Sequence, residues 1–545
     1  MRVSKTCCVL ILAATFFAGA LRLPGLAQRP MHGDEAVHAD KFGRLLERGE
    51  YKYDPHEYHG PTLNYLTLIP ARVLSEKTYA QVNEFTLRVV PAFFGVVLVL
   101  LVLLVADGVG AGAAVYAAVL TAISPAMVYY SRYYIQEMLL VCFTFGAIVF
   151  AYRYGRRRRL LWAVLAGACV GLMHATKETC VIAFGSMLAG LWLTFFLGRR
   201  EGGEGLGAAA RRIRPGHFVA ALAVAAGVSA LLYSSFLANP RGIVDSFATY
   251  GTYFRRAAGN LIHEHPWYYY LRMLLYSHWK GGPVWSEGLI VVLAVVGGVA
   301  VVAKRGLGGM DLRLLRFVVF YTLMMVVLYS VIRYKTPWCM LGFLHGMIVL
   351  AGVGAAVLVR SIRPVVPKLL LLFFLFDMSA LLLWQACQGS YKYHSDSRNP
   401  YVYAHPTTEV FEIVRVVEEY ARVHPDGRRM RIEVICPGDD YWPLPWYFRS
   451  FENVAWRSGV DKASPPASII IASPAVEAEL VERFYDESIP FEQRRMYLRL
   501  FEKPYYMWLR PQVKLVGFVT KELWERRQRL RVPDPNELML EQGRR

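Results

Sequence analysis

The 545-residue chain is 55% hydrophobic with a mean hydropathy of +0.31, which excludes an ordinary soluble domain. Its formal charge of +19 would point to nucleic acid in a soluble protein. Here the basic residues lie between long apolar runs, such as Val89 to Ala106 and Leu369 to Ala386. The charge therefore reads as membrane topology and contact with anionic lipid. Cys7, Cys8, Cys142, Cys169, Cys180, Cys339, Cys387 and Cys436 form no CxxC or metal-ligand spacing, so no disulfide framework or zinc site is expected.

In chain order, about eleven membrane helices are predicted, centred near Ala14, Val97, Tyr116, Phe145, Ala166, Met187, Ala225, Val295, Met324, Ile348 and Phe374. The first is read as a retained helix rather than a cleaved signal peptide. Placed alternately, four consecutive loops on one side are rich in Arg and Lys, among them Arg156 to Arg159, Arg211 to Arg214, Lys304 with Arg305, and Arg360 with Arg363. The short loops on the other side hold only Arg132, Lys177, Arg333 and Lys335. The positive-inside rule then places the N-terminus in the cytoplasm of a multi-pass protein of the cell membrane.

Every unusual polar cluster falls on the opposite, extracytoplasmic face. That face carries a long first loop (27–87), a second (238–287) and everything after Gln388. In the first loop, Ala36 to Arg48 mixes apolar and charged residues, as a helix lying on the membrane surface does. Tyr58-His59-Gly60-Pro61 opens a second short helix. After Gln388 the composition changes. Glu409 to Val423 has helical periodicity, Arg431 to Cys436 and Ser468 to Ala472 read as buried strands, and Pro443 to Tyr447 reads as an ordered loop. The architecture expected is an α-helical polytopic module (1–387) followed by a small extracytoplasmic α/β domain (388–545).

Candidate chemistry lies in the loops. Asp34 and Glu35 follow the first span directly. Two adjacent carboxylates there could cap a helix, but they could also serve as a general base or bind a cation. Arg132 and Glu137 end one span and begin the next, where ionisable groups face a shared cavity. Lys177 and Glu178 follow a short apolar stretch, and Lys177 suits a phosphate as a point charge. Arg333 and Lys335 put two cations on a face where positive charge is disfavoured, which suits a phosphate leaving group. His59 stands out among the histidines of the first loop, and His263-Glu264-His265 is a weaker signal of the same kind. No P-loop, nucleophile elbow or GxGxxG fingerprint sits on a strand–turn–helix, so a cytosolic nucleotide-sugar enzyme is not expected.

Five runs in order then stand out: His32-Gly33-Asp34-Glu35-Ala36, His59-Gly60-Pro61, Lys177-Glu178-Thr179, Tyr334-Lys335-Thr336-Pro337-Trp338 and Asn399-Pro400-Tyr401-Val402-Tyr403-Ala404-His405. With these the chain resembles the GT-C membrane glycosyltransferases, which include protein O-mannosyltransferases, aminoarabinose transferases of lipid A and oligosaccharyltransferases. It is most similar to the flippase-activity-associated proteins of prokaryotic N-glycosylation clusters. The resemblance implies inverting transfer from a polyprenyl-phosphate sugar to a protein, lipid or glycan acceptor on the outer face. It implies Asp34, Glu35 and Glu137 as catalytic carboxylates. Arg132, Lys177, Arg333 and Lys335 would meet the donor phosphate, and His59, Glu178 and Trp338 the substrate. A divalent cation (Mg or Mn) on Asp34 and Glu137 is left open. The alternative is a transporter or flippase partner for lipid-linked saccharides, which should show repeat symmetry and ionisable residues at midplane.

Overall fold

A backbone in hydrocarbon must close its own hydrogen bonds, so each long apolar run winds into a helix. In the computed structural model all eleven predicted centres fall inside helices: α1 (Lys5–Arg22), α4 (Glu84–Leu101), α5 (Ala111–Ile123), α7 (Glu137–Arg157), α8 (Leu160–Thr176), α9 (Cys180–Arg200), α10 (Pro215–Tyr233), α11 (Gly288–Ala303), α12 (Leu312–Val331), α13 (Leu341–Ser361) and α14 (Val365–Cys387). Between them lie α2 (Gly33–Arg48), α3 (Thr62–Val73) and α6 (Pro125–Ser131). Among the described residues, eight helices are long and apolar enough to cross a membrane, or nine if α5 and α6 make one span. Helices α8 and α11 are apolar but shorter. The described residues are 4–56, 59–259, 263–279, 281–485 and 494–531. Tyr58 and the last fourteen residues of the expected C-terminal domain (532–545) lie outside them.

Local signals set the helix ends. Ser4 Oγ accepts from Cys7 N–H at the start of α1, Asn83 Oδ1 from Thr86 N–H at α4, and Asp311 Oδ1 from Arg313 and Leu314 N–H at α12. The predicted third span is broken. Helices α5 and α6 meet at 55°, because Ser124 caps a new helix and Pro125 occupies its first turn. Helices α7 and α13 are mostly buried, whereas α10 and α14 are mostly exposed toward where lipid would lie. Helices pack closely through small residues. A Cβ on Gly167 would stand 2.2 Å from Ala221 O, and one on Gly171 2.5 Å from Ala225 O, so this GxxxG pair lets α8 and α10 touch backbone to backbone.

The chain divides into two compact units. The first is Met1–Gln28, Lys41–Thr78 and Val82–Tyr403, the helical module. The second is Arg29–Asp40, Tyr79–Gln81 and Ala404–Arg545. The second unit holds a six-stranded sheet of order β2-β1-β3-β6-β4, with β5 also paired to β6. The strands are β1 (Ile432–Ile435), β2 (Val454–Arg457), β3 (Ile469–Ala472), β4 (Tyr497–Arg499), β5 (Tyr506–Arg510) and β6 (Val513–Thr520). Strand β1 pairs parallel with β2 and β3, and β6 runs antiparallel to β3, β4 and β5. The two predicted strands are β1 and β3, buried at every position as strands of a parallel pair are. Ile435, Ile470, Leu480 and Phe518 belong to the core. Helix α15 (Glu409–Val423) turns Val410, Ile413, Val417 and Tyr420 inward.

Two local expectations are corrected. Ala36, Ala39, Phe42 and Leu45 of α2 are fully or almost fully buried, so this stripe packs against protein instead of resting on lipid. Leu45 joins Tyr51, Tyr53, Ala175 and Tyr233 in a core cluster of the first unit. Pro443 to Tyr447 contains a short helix, Leu444–Tyr447, anchored by the buried Leu444 and Trp446.

Candidate active site

Helices α7 and α8 run antiparallel across a tight link, which brings the start of one beside the end of the other. Glu137 opens α7 and Lys177 follows the last residue of α8; both are buried, and the Lys177 ammonium donates to Glu137 Oε1. Burial alone would depress the Lys177 ammonium, but Glu137 outweighs it and raises it above its usual value. The next residue, Glu178, is also buried. Its Oε1 accepts from Tyr53 Oη at 3.1 Å, and its Oε2 lies 2.8 Å from His59 Nδ1. The predicted Lys177, Glu178, His59 and Glu137 therefore form one linked cluster.

The His59-Gly60-Pro61 run owes its glycine to this docking. A Cβ on Gly60 would stand 2.1 Å from Ala175 O, and Thr62 Oγ1 donates to the same carbonyl at 2.7 Å. Gly60→Ala is expected to push His59 off Glu178 and destabilise the fold by about 1–3 kcal/mol, as overpacking does. A variant that melts like the wild type would contradict this.

Burial opposes charge on Glu178, yet His59 and then Lys177 leave its carboxyl below the usual 4.5. A carboxyl lowered on folding stabilises above its unfolded value, and that share is lost as pH falls through the folded value. The melting advantage of the wild type over Glu178→Gln is therefore expected to shrink as pH drops from neutral to below about 4. A constant difference over that range would show that the charge of Glu178 adds nothing.

From Glu137 an apolar cleft runs between helices. Its first compartment is lined by Glu137, Val141, Thr179, Tyr321, Tyr329 and Trp338, among others. A second shares Val141, Thr144, Tyr321 and Gly342 and continues past Phe145 and Ile148 to His345. Ile148 is eleven residues into α7, so the cleft extends about 16 Å along it. Trp338 sits in a 3₁₀ turn (Pro337–Met340) beside the rings of Tyr130, Tyr133 and Tyr403.

Arg333 and Lys335 part company. Arg333 is exposed. Lys335 is buried and donates to the carbonyls of His265, at 3.1 Å, and Ile332. Those two acceptors are neutral, and burial lowers its ammonium below the usual value. Tyr403 Oη lies 2.6 Å from His263 Nδ1 and 3.3 Å from His265 Nε2, which draws the weaker histidine signal into the same neighbourhood.

Arg132 has contacts unlike those foreseen for a phosphate ligand. Its guanidinium donates to Arg22 O (2.9 Å), Pro24 O (2.6 Å) and Gly25 O (3.0 Å) and lies over the Tyr391 ring, clamping the exit of α1. The carboxylate that sequence reasoning missed is Glu287. It is fully buried, and accepts from Ser124 Oγ (2.6 Å), Ala126 N–H (2.9 Å) and Tyr401 Oη (3.0 Å). Burial pushes its carboxyl up. It ties the α5–α6 break to the Asn399–His405 run, whose Asn399 Nδ2 donates to Gly389 O and Tyr393 O. A lone acid directly before an apolar helix was the available signal.

Asp34 and Glu35 belong to the second unit, and they differ. Glu35 is fully buried: Oε2 accepts from His32 N–H at 3.0 Å and Oε1 from Arg29 at 3.2 Å, so it closes the start of α2 as a reaching-back cap. Asp34 keeps about half of its side chain open (51%), with Oδ2 3.8 Å from His32 Nδ1. Among the described residues no group of three or more His, Cys, Asp or Glu side chains forms a metal cage.

Residues 15–237 match the sequence profile of the dolichyl-phosphate-mannose-protein mannosyltransferase family. No curated protein matches the chain in sequence. Among solved structures it superposes on ArnT from Cupriavidus metallidurans bound to undecaprenyl phosphate, with a TM-score of 0.64 at 14% identity over 93% of this chain and 97% of that one. The archaeal oligosaccharyltransferase AglB from Archaeoglobus fulgidus, in complex with an inhibitory peptide and a dolichol-phosphate, gives 0.54 at 12% identity over 96% and 77%. The fold is that of the GT-C glycosyltransferases. The expected helical GT-C module with a small C-terminal α/β sheet is therefore met. The profile spans Asp34, Glu35, His59, Glu137, Lys177 and Glu178; the Tyr334–Trp338 and Asn399–His405 runs lie beyond it.

Proposed function

We propose that this GT-C protein transfers a sugar from a polyprenyl-phosphate donor to an acceptor hydroxyl or amide on the extracytoplasmic face, with inversion at C1. The observation that carries this reading is the cleft. It is an apolar cleft lined at one end by Glu137, the partner of Lys177, in a fold shared with a structure holding undecaprenyl phosphate.

In this reading the tail enters the slot and the phosphate stays at the mouth. An ammonium has three donors and Glu137 Oε1 takes one from Lys177, so the others can meet phosphate oxygens. Lys335, whose acceptors are neutral carbonyls, and the exposed Arg333 add positive charge in the segment that leads to Trp338. Asp34, half open to solvent, takes the acceptor proton while the acceptor atom bonds to C1. The C1–O bond to phosphate breaks with its electron pair, and polyprenyl phosphate departs toward the cations. Trp338 and the His59–Glu178 pair offer an aromatic face and hydrogen bonds for the sugar. Arg132 and Glu35 act as supports in this scheme.

The test is purified protein in lipid vesicles given radiolabelled polyprenyl-phosphate hexose and candidate acceptors. Label on the acceptor, matched by released polyprenyl phosphate, supports transfer. Label that crosses the bilayer still attached to its lipid favours the transporter reading and overturns this one.

A further inference from the structure

We infer that the carboxy-terminal α/β unit positions the Asp34 carboxylate, with Tyr447 and His405 as the positioning residues. The inference rests on the reading of Asp34 as the base. The stretch 29–40 groups with this unit, although more than 360 residues separate it in sequence from the unit's main body. The residues just before Asp34 are held one by one. Met31 N–H donates to Tyr447 Oη at 2.8 Å. The ring of His32 packs on that of His405, with centroids 4.8 Å apart. A Cβ on Gly33 would stand 3.8 Å from Trp442 Cβ, so its backbone lies against that side chain.

The supports are themselves rigid. Tyr447 ends the short helix anchored by Leu444 and Trp446, and its ring meets Phe411 of α15 edge-on at 5.9 Å. His405 is buried. His32 passes this order on to Asp34: its Nδ1 accepts the Asp34 N–H at 3.0 Å, beside the Asp34 carboxylate. Two sequence runs, His32–Ala36 and Asn399–His405, thus meet through a pair of rings. A proton-abstracting carboxylate must be held to within fractions of an ångström, and removing such outer supports costs activity more than binding.

The experiment uses the full chain in vesicles. Tyr447→Phe and His405→Leu are each expected to lower kcat about tenfold with donor KM unchanged within about twofold. The control is Glu433→Gln, which removes buried ion pairs to Arg457 and Arg483 inside the same unit. It should lower Tm while the folded protein keeps its kcat. Equal kcat losses in all three variants, or full kcat in Tyr447→Phe and His405→Leu while Asp34→Asn is inactive, would overturn the positioning role alone. Full transfer by Asp34→Asn would instead remove the base on which it rests.

Discussion

Lys177→Met is expected to destabilise the protein by about 3–5 kcal/mol, because it strands a buried carboxylate. Glu137 is 5% exposed and Lys177 6%, so little solvent reaches the stranded carboxylate. Against a typical total of about 5–15 kcal/mol, little of the single variant should fold. The double variant Glu137→Gln, Lys177→Met removes both charges together and should recover most of the stability. It should still fail to hold the donor phosphate, since the cation at the mouth of the cleft is gone. Melting in detergent and binding of polyprenyl phosphate separate the two effects. A single variant that melts like the wild type would mean that the pair is not closed in the membrane.

The second large effect divides adjacent carboxylates. Asp34→Asn should leave fold and donor binding intact and lower kcat about 10²–10⁴-fold, the range that a general base supplies. Glu35→Gln should do the reverse. It replaces a buried carboxylate that caps α2 and receives Arg29, so about 1–3 kcal/mol of stability should go while the folded enzyme keeps most of its kcat. Rates corrected for folded protein decide this. Comparable kcat losses in both variants would return Glu35 to the chemistry.

Sequence reading reached whatever is encoded locally. Continuous apolar stretches marked the helices, a 3.6-residue period marked α15, and unbroken apolar runs marked β1 and β3. It did not reach β2, β4, β5 and β6: β6 pairs with β3 and β4 tens of residues away, although β5 and β6 close a local hairpin with Arg510 opposite Val513. The third span was foreseen without its bend, although Ser124-Pro125 is a start signal inside an apolar run. At the candidate site, Lys177, Glu178, His59 and Glu137 were named individually, but their pairing is a product of helix packing. Arg132, a charge at a span end, suits a phosphate by its position, while its contacts to carbonyls at the end of α1 come from packing that the sequence does not show. The grouping of residues 29–40 with the last quarter of the chain had no local signal at all.

The most direct test of glycosyl transfer at Asp34 is the anomeric configuration of the product. A polyprenyl-phosphate hexose of known configuration would be turned over in vesicles by the wild type and by Asp34→Asn. The wild type is expected to give an inverted linkage, and Asp34→Asn none while that variant still binds polyprenyl phosphate. A retained configuration, or an equal yield from both proteins, would contradict that expectation.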